Sequence, residues 1–163
     1  MGDGILDLRK TTDYVTVSWC RLANHNKVFG LGWTDRTDRL HVTIHHTWIH
    51  DTNQRNPSFD NGTGHLYNNV LQNVSSYGNY ARGKTKMVVE NSLFQNVKNP
   101  LQRDADAELV SRGNRLSNSA GKNDPKGFAF DPRKFYPYRL DSVDGLEALL
   151  RTHSGPQADI GLE

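Results

Sequence analysis

The segments HLYNNVLQNV (His65–Val74) and MVVENSLFQNV (Met87–Val97) share one pattern, and this pattern decides the fold. Each begins with alternating apolar residues, passes into asparagine and ends with a second apolar pair. Related segments begin at Tyr14, His41 and Glu108, so that successive starts lie 21 to 27 residues apart. Alternation with a period of two is typical of strands, and a repeat of this length indicates stacked structural units. The sequence therefore predicts an all-β solenoid, a parallel β-helix in which each coil contributes short strands.

Asparagines recur at similar places in these segments. Asparagine tolerates left-handed turn conformations, and stacked asparagines hydrogen-bond along a ladder of coils. We therefore interpret them as scaffold rather than as catalytic groups. The positions are Asn68, Asn69, Asn91, Asn96 and Asn114.

The C-terminal part departs from the repeat. We expect coils over residues 1–120 and a loop with a capping helix over residues 121–163, packed on the body to shield apolar surface. Asp141 or Ser142 is the predicted cap of this helix. Its apolar side is predicted to carry Val143, Leu146, Leu149 and Leu150.

Length and charge limit the classes of partner. The 163 residues suit one domain, and 20 Lys and Arg against 18 Asp and Glu give a net charge of only +2. The sequence has no long run of like charges, no apolar stretch of membrane-spanning length and no segment resembling a leader. We therefore expect a soluble monomer without a nucleic-acid or membrane partner.

Two carboxylates stand in the stretch DGILD. In an extended strand Asp3 and Asp7 project to the same side, while Leu6 and Leu8 point to the other. Oxygen ligands of this kind suit a hard cation such as calcium. Taken alone, the pair indicates the solvated edge of a strand rather than a metal site.

Single basic residues follow at two strand ends. Lys27 lies in NHNKVFGLG, and Arg55 lies in DTNQRNPSFDN. Each is compatible with an ordinary surface charge when it is considered by itself.

Four histidines cluster between residues 41 and 50. Neighbouring histidines in a strand face opposite sides, so the pattern favours stacking or hydrogen bonding over a zinc site. They are His41, His45, His46 and His50.

Considered in order, these motifs resemble those of a known family. DGILDLRKTTDYVTVSWCRLANHNKVFGLG, LHVTIHHTWIHDTNQRNPSFDN and GHLYNNVLQNV are similar to the signatures of the pectate lyases of polysaccharide lyase family 1, over residues 3–74. That family folds as a right-handed parallel β-helix and cleaves α-1,4-linked polygalacturonate by β-elimination.

The resemblance implies a role for each candidate. Asp3 and Asp7 would bind Ca²⁺, Lys27 would bind substrate oxygens, and Arg55 would be the Brønsted base. A calcium ion and cationic side chains would neutralise the galacturonate carboxylate and so acidify the proton on C5. The resemblance further implies a secreted enzyme with pectin polysaccharide as its partner.

Two departures from the family pattern stand out. The family usually has a second arginine five residues after the one that corresponds to Arg55, whereas this chain has Asp60 there. Arg82 could supply the missing positive charge. The family also draws its first coils and a further calcium-binding aspartate from sequence before DGILD, so residues 1–163 resemble a C-terminal half. Pectin lyase activity on methylated polymer and a non-catalytic solenoid that binds acidic polysaccharide remain alternatives.

Overall fold

The computed structural model describes residues 4–158. Over this range three parallel sheets of five strands each run along the molecule. The chain visits the three sheets in turn, so that each circuit forms one coil and every strand pairs with its counterpart in the next coil. This is the predicted parallel β-helix, with the right-handed crossover that parallel strands almost always take.

The strands are short and evenly distributed. The first three coils comprise β1 (Leu6–Arg9), β2 (Val15–Ser18), β3 (Arg21–Lys27), β4 (Phe29–Gly32), β5 (His41–His45), β6 (Trp48–Gln54), β7 (Ser58–Asp60), β8 (Thr63–Tyr67) and β9 (Val70–Val74). The last two comprise β10 (Asn79–Arg82), β11 (Lys86–Glu90), β12 (Leu93–Val97), β13 (Leu101–Arg103), β14 (Glu108–Arg112) and β15 (Arg115–Ser117). We name the sheets A, B and C after the order in which β1, β2 and β3 enter them.

The core fills the inside of the coils. Residues in register on successive strands stack there, as in the sheet A row of Leu8, Leu31, Phe59 and Ala81. Because side chains alternate along a strand, the next row of sheet A faces outward. The outer face of sheet A is therefore available for polar groups.

The asparagines act as scaffold, as predicted. Asn68, Asn91 and Asn96 have positive φ at the turns, where asparagine is tolerated better than most residues. The side chains of Asn69 and Asn114 instead donate to backbone carbonyls of the preceding coil, at 2.9 Å each. The first use shapes the turns, and the second ties each asparagine to a strand of the preceding coil.

The C-terminal segment packs on the outside of the coils. A short 3₁₀ helix, Pro132–Lys134, precedes two tyrosines that lie on sheet B, and α1 (Leu146–His153) lies on sheet C. Leu146 and Leu150 are buried, with Val143 and Leu149 packed beside them. Their apolar contacts come from one outward row of sheet C, namely Trp48, Val70 and Leu93.

The details of α1 differ from the prediction in two respects. Gly145, in a left-handed conformation, precedes the helix without a side-chain cap, so neither Asp141 nor Ser142 is the cap. Asp141 is instead engaged by the body, because its carboxylate lies 2.9 Å from His46 Nε2 and its N–H donates to Asn68. The helix also begins only at Leu146, so Val143, predicted on its apolar side, lies before it. None of the helices in residues 4–158 has the length and hydrophobicity of a membrane-spanning segment.

Candidate functional site

Asp7 projects from the outer face of sheet A. Leu6 and Leu8 on either side of it pack against the core, as the alternation predicts. One carboxylate oxygen accepts the N–H of Gly30 in the next coil, and the other lies 3.2 Å from Arg9 Nη2. The Asp7 side chain is 23% exposed. It is therefore held in place while remaining accessible from solvent.

Lys27 and Arg55 lie at the same corner of successive coils, where sheet C passes into sheet A. Lys27 ends β3 in register with Gln54 of β6, and Arg55 follows Gln54 directly. The N–H groups of Val28 and Phe29 donate to the carbonyls of Gln54 and Arg55, at 3.2 and 2.7 Å. These bonds fix the two basic residues one coil apart.

The turn that carries Arg55 is determined by the residue that follows it. Arg55 has a φ of 61°, and the Asn56–Pro57 peptide is cis. The Asn56 side chain is fully buried, accepting a hydrogen bond from Thr52 and donating one to the carbonyl of Tyr77. Its own carbonyl accepts from the side chain of Asn79 at 2.6 Å. This network fixes the backbone from which the guanidinium projects.

Two residues that sequence reasoning missed complete this corner. The guanidinium carbons of Arg9 and Arg55 each lie 4.7 Å from the centre of the Trp33 ring. Arg9 shares the outward face with Asp7 because the two are separated by one residue in β1, so the alternation could have indicated it. No sequence signal indicates Trp33, because its ring reaches the site only through the sharp turn that follows β4.

Arg82 lies outside this corner. It ends β10, three strands along sheet A from the strand of Asp7, which is about 14 Å at the usual strand spacing. It is exposed, lies in register with Asp60, and has its guanidinium carbon 5.4 Å from the Tyr80 ring. Lys27 and Arg55 thus share one corner, and Asp7 is linked to Arg55 through Arg9 and Trp33. Arg82 lies further along the same sheet.

Asp60 places a negative charge on sheet A beside Arg82. Burial raises the pKa of its carboxyl group, Arg82 opposes that shift, and Asp104 adds to it. Asp104 is itself engaged, since it accepts hydrogen bonds from the Tyr80 hydroxyl and the N–H of Gly83. The acid that replaces the family's second arginine therefore lies between a cation and another acid.

The donor chemistry of Asp7, the predicted calcium ligand among the described residues, suits a hard cation. Asp7 offers carboxylate oxygens at an accessible position, and oxygen ligands are those that Ca²⁺ prefers. Asp3, the other predicted ligand, lies outside the described residues. Among residues 4–158 there is no group of three or more His, Cys, Asp or Glu side chains that could hold a metal ion.

The clustered histidines lie on sheet B and β6 and engage in stacking and hydrogen bonds, as predicted. His45 stacks on Tyr67 with ring centres 4.8 Å apart, and its Nδ1 lies 2.8 Å from His46 Nδ1. His41 stacks on Tyr14 and bonds to Asp13. These interactions join neighbouring coils, and His46 also contacts Asp141 of the C-terminal segment.

Comparison with known proteins identifies relatives of this chain. The pectate lyase family profile matches residues 1–156. A pectate trisaccharide-lyase from Bacillus licheniformis is 29% identical over 157 residues, which cover 94% of this chain and 46% of that protein. A probable pectate lyase A from Aspergillus flavus is 37% identical over 117 residues, covering 69% of this chain and 36% of that protein.

A solved structure shows the same relationship in three dimensions. The crystal structure of a pectate lyase from Bacillus sp. N165, in complex with trigalacturonate, is 26% identical and superposes with a TM-score of 0.83. The match covers 94% of this chain and 52% of that one. The chain therefore spans about half the length of the relatives that it matches.

Proposed function

Because the chain belongs to the pectate lyase family, we propose that it cleaves α-1,4-linked polygalacturonate by calcium-dependent β-elimination, giving 4,5-unsaturated oligogalacturonides. This proposal is supported by the Arg55 guanidinium and the Asp7–Arg9 pair, which border the same Trp33 ring. Lys27 lies one coil before Arg55 at the same corner of the coils. A carboxylate and cations arranged in this way suit an anionic sugar polymer. The trigalacturonate bound to the Bacillus sp. N165 relative supports the same class of substrate.

Arg55 is proposed as the Brønsted base. In β-elimination a guanidine nitrogen would take the proton from C5, the electron pair would form the C4–C5 double bond, and the C4–O bond would break. The departing sugar oxygen would take a proton from solvent. Guanidinium is protonated at ordinary pH, so the reaction requires an alkaline medium. We therefore expect an alkaline pH optimum.

Lys27 is proposed to bind the substrate carboxylate. Charge that develops on this carboxylate as C5 loses its proton would be stabilised by an ammonium group held beside it. Asp7, together with Asp3, would hold Ca²⁺, which when bound supplies further positive charge to the same carboxylate. No water molecule attacks, so the paired acids of a glycosidase are not required.

Arg82 is proposed to bind the polymer further along sheet A. Its guanidinium is exposed and adjacent to Asp60, whose negative charge would otherwise repel a galacturonate unit. Substitution Arg82→Ala is expected to raise KM more than it lowers kcat, because the contact exists both before and during the reaction.

A single assay tests the proposed function. The full chain would be incubated with polygalacturonate or methylated pectin, with calcium or with a chelator, and the ultraviolet absorbance of unsaturated product recorded. We expect product from polygalacturonate with calcium only, and none from the variant Arg55→Lys, which should keep the fold. Full activity in Arg55→Lys, or a pH optimum near 5, would refute the assignment of the base.

A non-catalytic role in binding acidic polysaccharide is the second candidate. Asp60, in place of the family's usual arginine, is the observation that favours it, because an acid at this position weakens contact with an anionic polymer. No product under any condition, from folded protein that still binds polygalacturonate, would support this alternative. Product formed from methylated pectin without calcium would instead indicate a pectin lyase.

The proposed substrate also bears on where the protein acts. A polymer of galacturonate is too large to enter a cell intact, so we propose that the protein is secreted and acts as a monomer outside the cell.

A further inference from the structure

Trp33 lies beside two charged side chains of the candidate site but has no charge or titratable group of its own. Its ring contacts two guanidinium groups, those of Arg9 and Arg55, at equal distances of 4.7 Å. Arg9 is in turn bonded to Asp7. One indole thus connects the proposed base with the proposed calcium ligand.

The backbone around Trp33 is shaped to bring the ring to this place. Gly32 and Trp33 both have positive φ, at 103° and 57°, so the chain turns sharply at the end of β4. A side chain at Gly32 would collide with the carbonyl oxygen of Asp60 in the next coil. The turn therefore depends on a glycine that a neighbouring strand approaches closely.

Gly30 provides the space that the ring occupies. A Cβ atom at this position would overlap the six-membered ring of Trp33, and it would lie 2.5 Å from Asp7 Oδ1. The missing side chain is thus replaced on one side by the indole and on the other by the carboxylate. Both groups pack into the space above Gly30 on the face of sheet A.

The consequence for Arg55 is that it is fixed at both ends. Its carbonyl accepts the N–H of Phe29, and its guanidinium lies against the indole. An aromatic face attracts a guanidinium and shields one side of it from water. A long side chain that would otherwise sample many rotamers is thereby restrained in one direction.

We propose that Trp33 is a positioning residue that holds the Arg55 guanidinium in its reactive orientation and connects it to the Asp7–Arg9 pair. This inference rests on the proposed function, in which Arg55 is the base. Trp33 itself touches no reacting atom. Its contribution is to the geometry of proton transfer, where a displacement of about 1 Å can cost on the order of 100-fold in rate.

The first test separates positioning from folding. Trp33→Leu is expected to lower kcat about 10- to 100-fold with little change in KM, and Trp33→Phe, which keeps an aromatic face, to recover most of the loss. Trp19→Leu is the matched control, since Trp19 stacks on His46 away from the corner. Equal losses in Trp33→Leu and Trp33→Phe, with both variants folded by circular dichroism, would overturn the proposal.

The second test does not depend on turnover. In an NMR spectrum of the labelled full chain, the Nε–H of Arg55 is expected to be shifted by the indole ring current and to exchange slowly with water. In Trp33→Leu this signal should move to the averaged position of exposed arginines, whereas Trp19→Leu should leave it unchanged. An Arg55 signal that is the same in Trp33→Leu and in the natural sequence would contradict positioning, even if the proposed activity itself failed.

Discussion

The acid sensitivity of this fold can be predicted from His45. Its half-buried ring stacks on Tyr67, and burial lowers the pKa of His45 to about 4, with the imidazoles of His46 and His65 acting in the same direction. Above pH 6.5 both folded and unfolded chains carry a neutral His45. As the pH falls below 6.5 the unfolded chain takes up a proton that the folded chain does not. The free energy of unfolding therefore decreases between pH 6.5 and about 4.

The size of this effect follows from the pKa difference. A fall from 6.5 to about 4 corresponds to about 3.4 kcal/mol at 1.36 kcal/mol per pKa unit. Because the imidazole is only partly buried, solvent screening reduces the contribution to on the order of 1 to 2 kcal/mol. Burial also lowers the pKa of His65, so the fold is expected to be most stable at the neutral to alkaline pH that the proposed base requires.

Urea denaturation at pH 7 and pH 4.5 measures this prediction. The variant His45→Asn should lose less stability between the two pH values than the natural sequence, by about 1 to 2 kcal/mol. His153→Asn, at an exposed position on α1, is the control and should lose as much as the natural sequence. If the difference between His45→Asn and the natural sequence is the same at both pH values, the reasoning is refuted.

Three further predictions concern calcium, the corner and the packed helix. Asp7→Asn should weaken calcium binding measured by calorimetry. Arg9→Gln should strengthen calcium binding, because it removes a cation 3.2 Å from the Asp7 carboxylate. Weaker calcium binding in Arg9→Gln would show that Arg9 supports the site instead. Gly30→Ala should impair both turnover and calcium binding, because its Cβ would displace Trp33 and Asp7; unchanged values for both would contradict the described packing. Leu150→Ala should lower the free energy of unfolding in urea by roughly 2 to 5 kcal/mol, and a loss below about 1 kcal/mol would mean that α1 contributes little to stability.

The parts of the site that the sequence predicts are those that belong to repeating or local patterns. The alternation in DGILD indicates that Asp7 faces outward, and the same alternation applies to Arg9. The regular coils place Lys27 and Arg55 at equivalent corners, one coil apart. The register of paired strands is set by which side chains are buried in the core. The relative positions of Lys27 and Arg55 therefore follow once the repeat is recognised.

Other features depend on contacts between residues that are distant in the chain. The capping of α1 was predicted from local residue types, but Asp141 is engaged by His46 and Asn68 on the body. These tertiary hydrogen bonds compete with the cap and prevail. The helix likewise lies beside the coils because an apolar outward row of sheet C is available there.

The sequence by itself determined the β-helix, its coil length and the family of this protein, because a repeated strand pattern and several ordered motifs are readable in one dimension. Only the tertiary structure decided that Trp33 lies between Arg9 and Arg55, and that Arg82 lies beside Asp60. Such neighbours depend on how one coil stacks on the next and on the space left by Gly30. Stacking brings together side chains that no periodicity along the chain relates, and these contacts define the orientation of the proposed base.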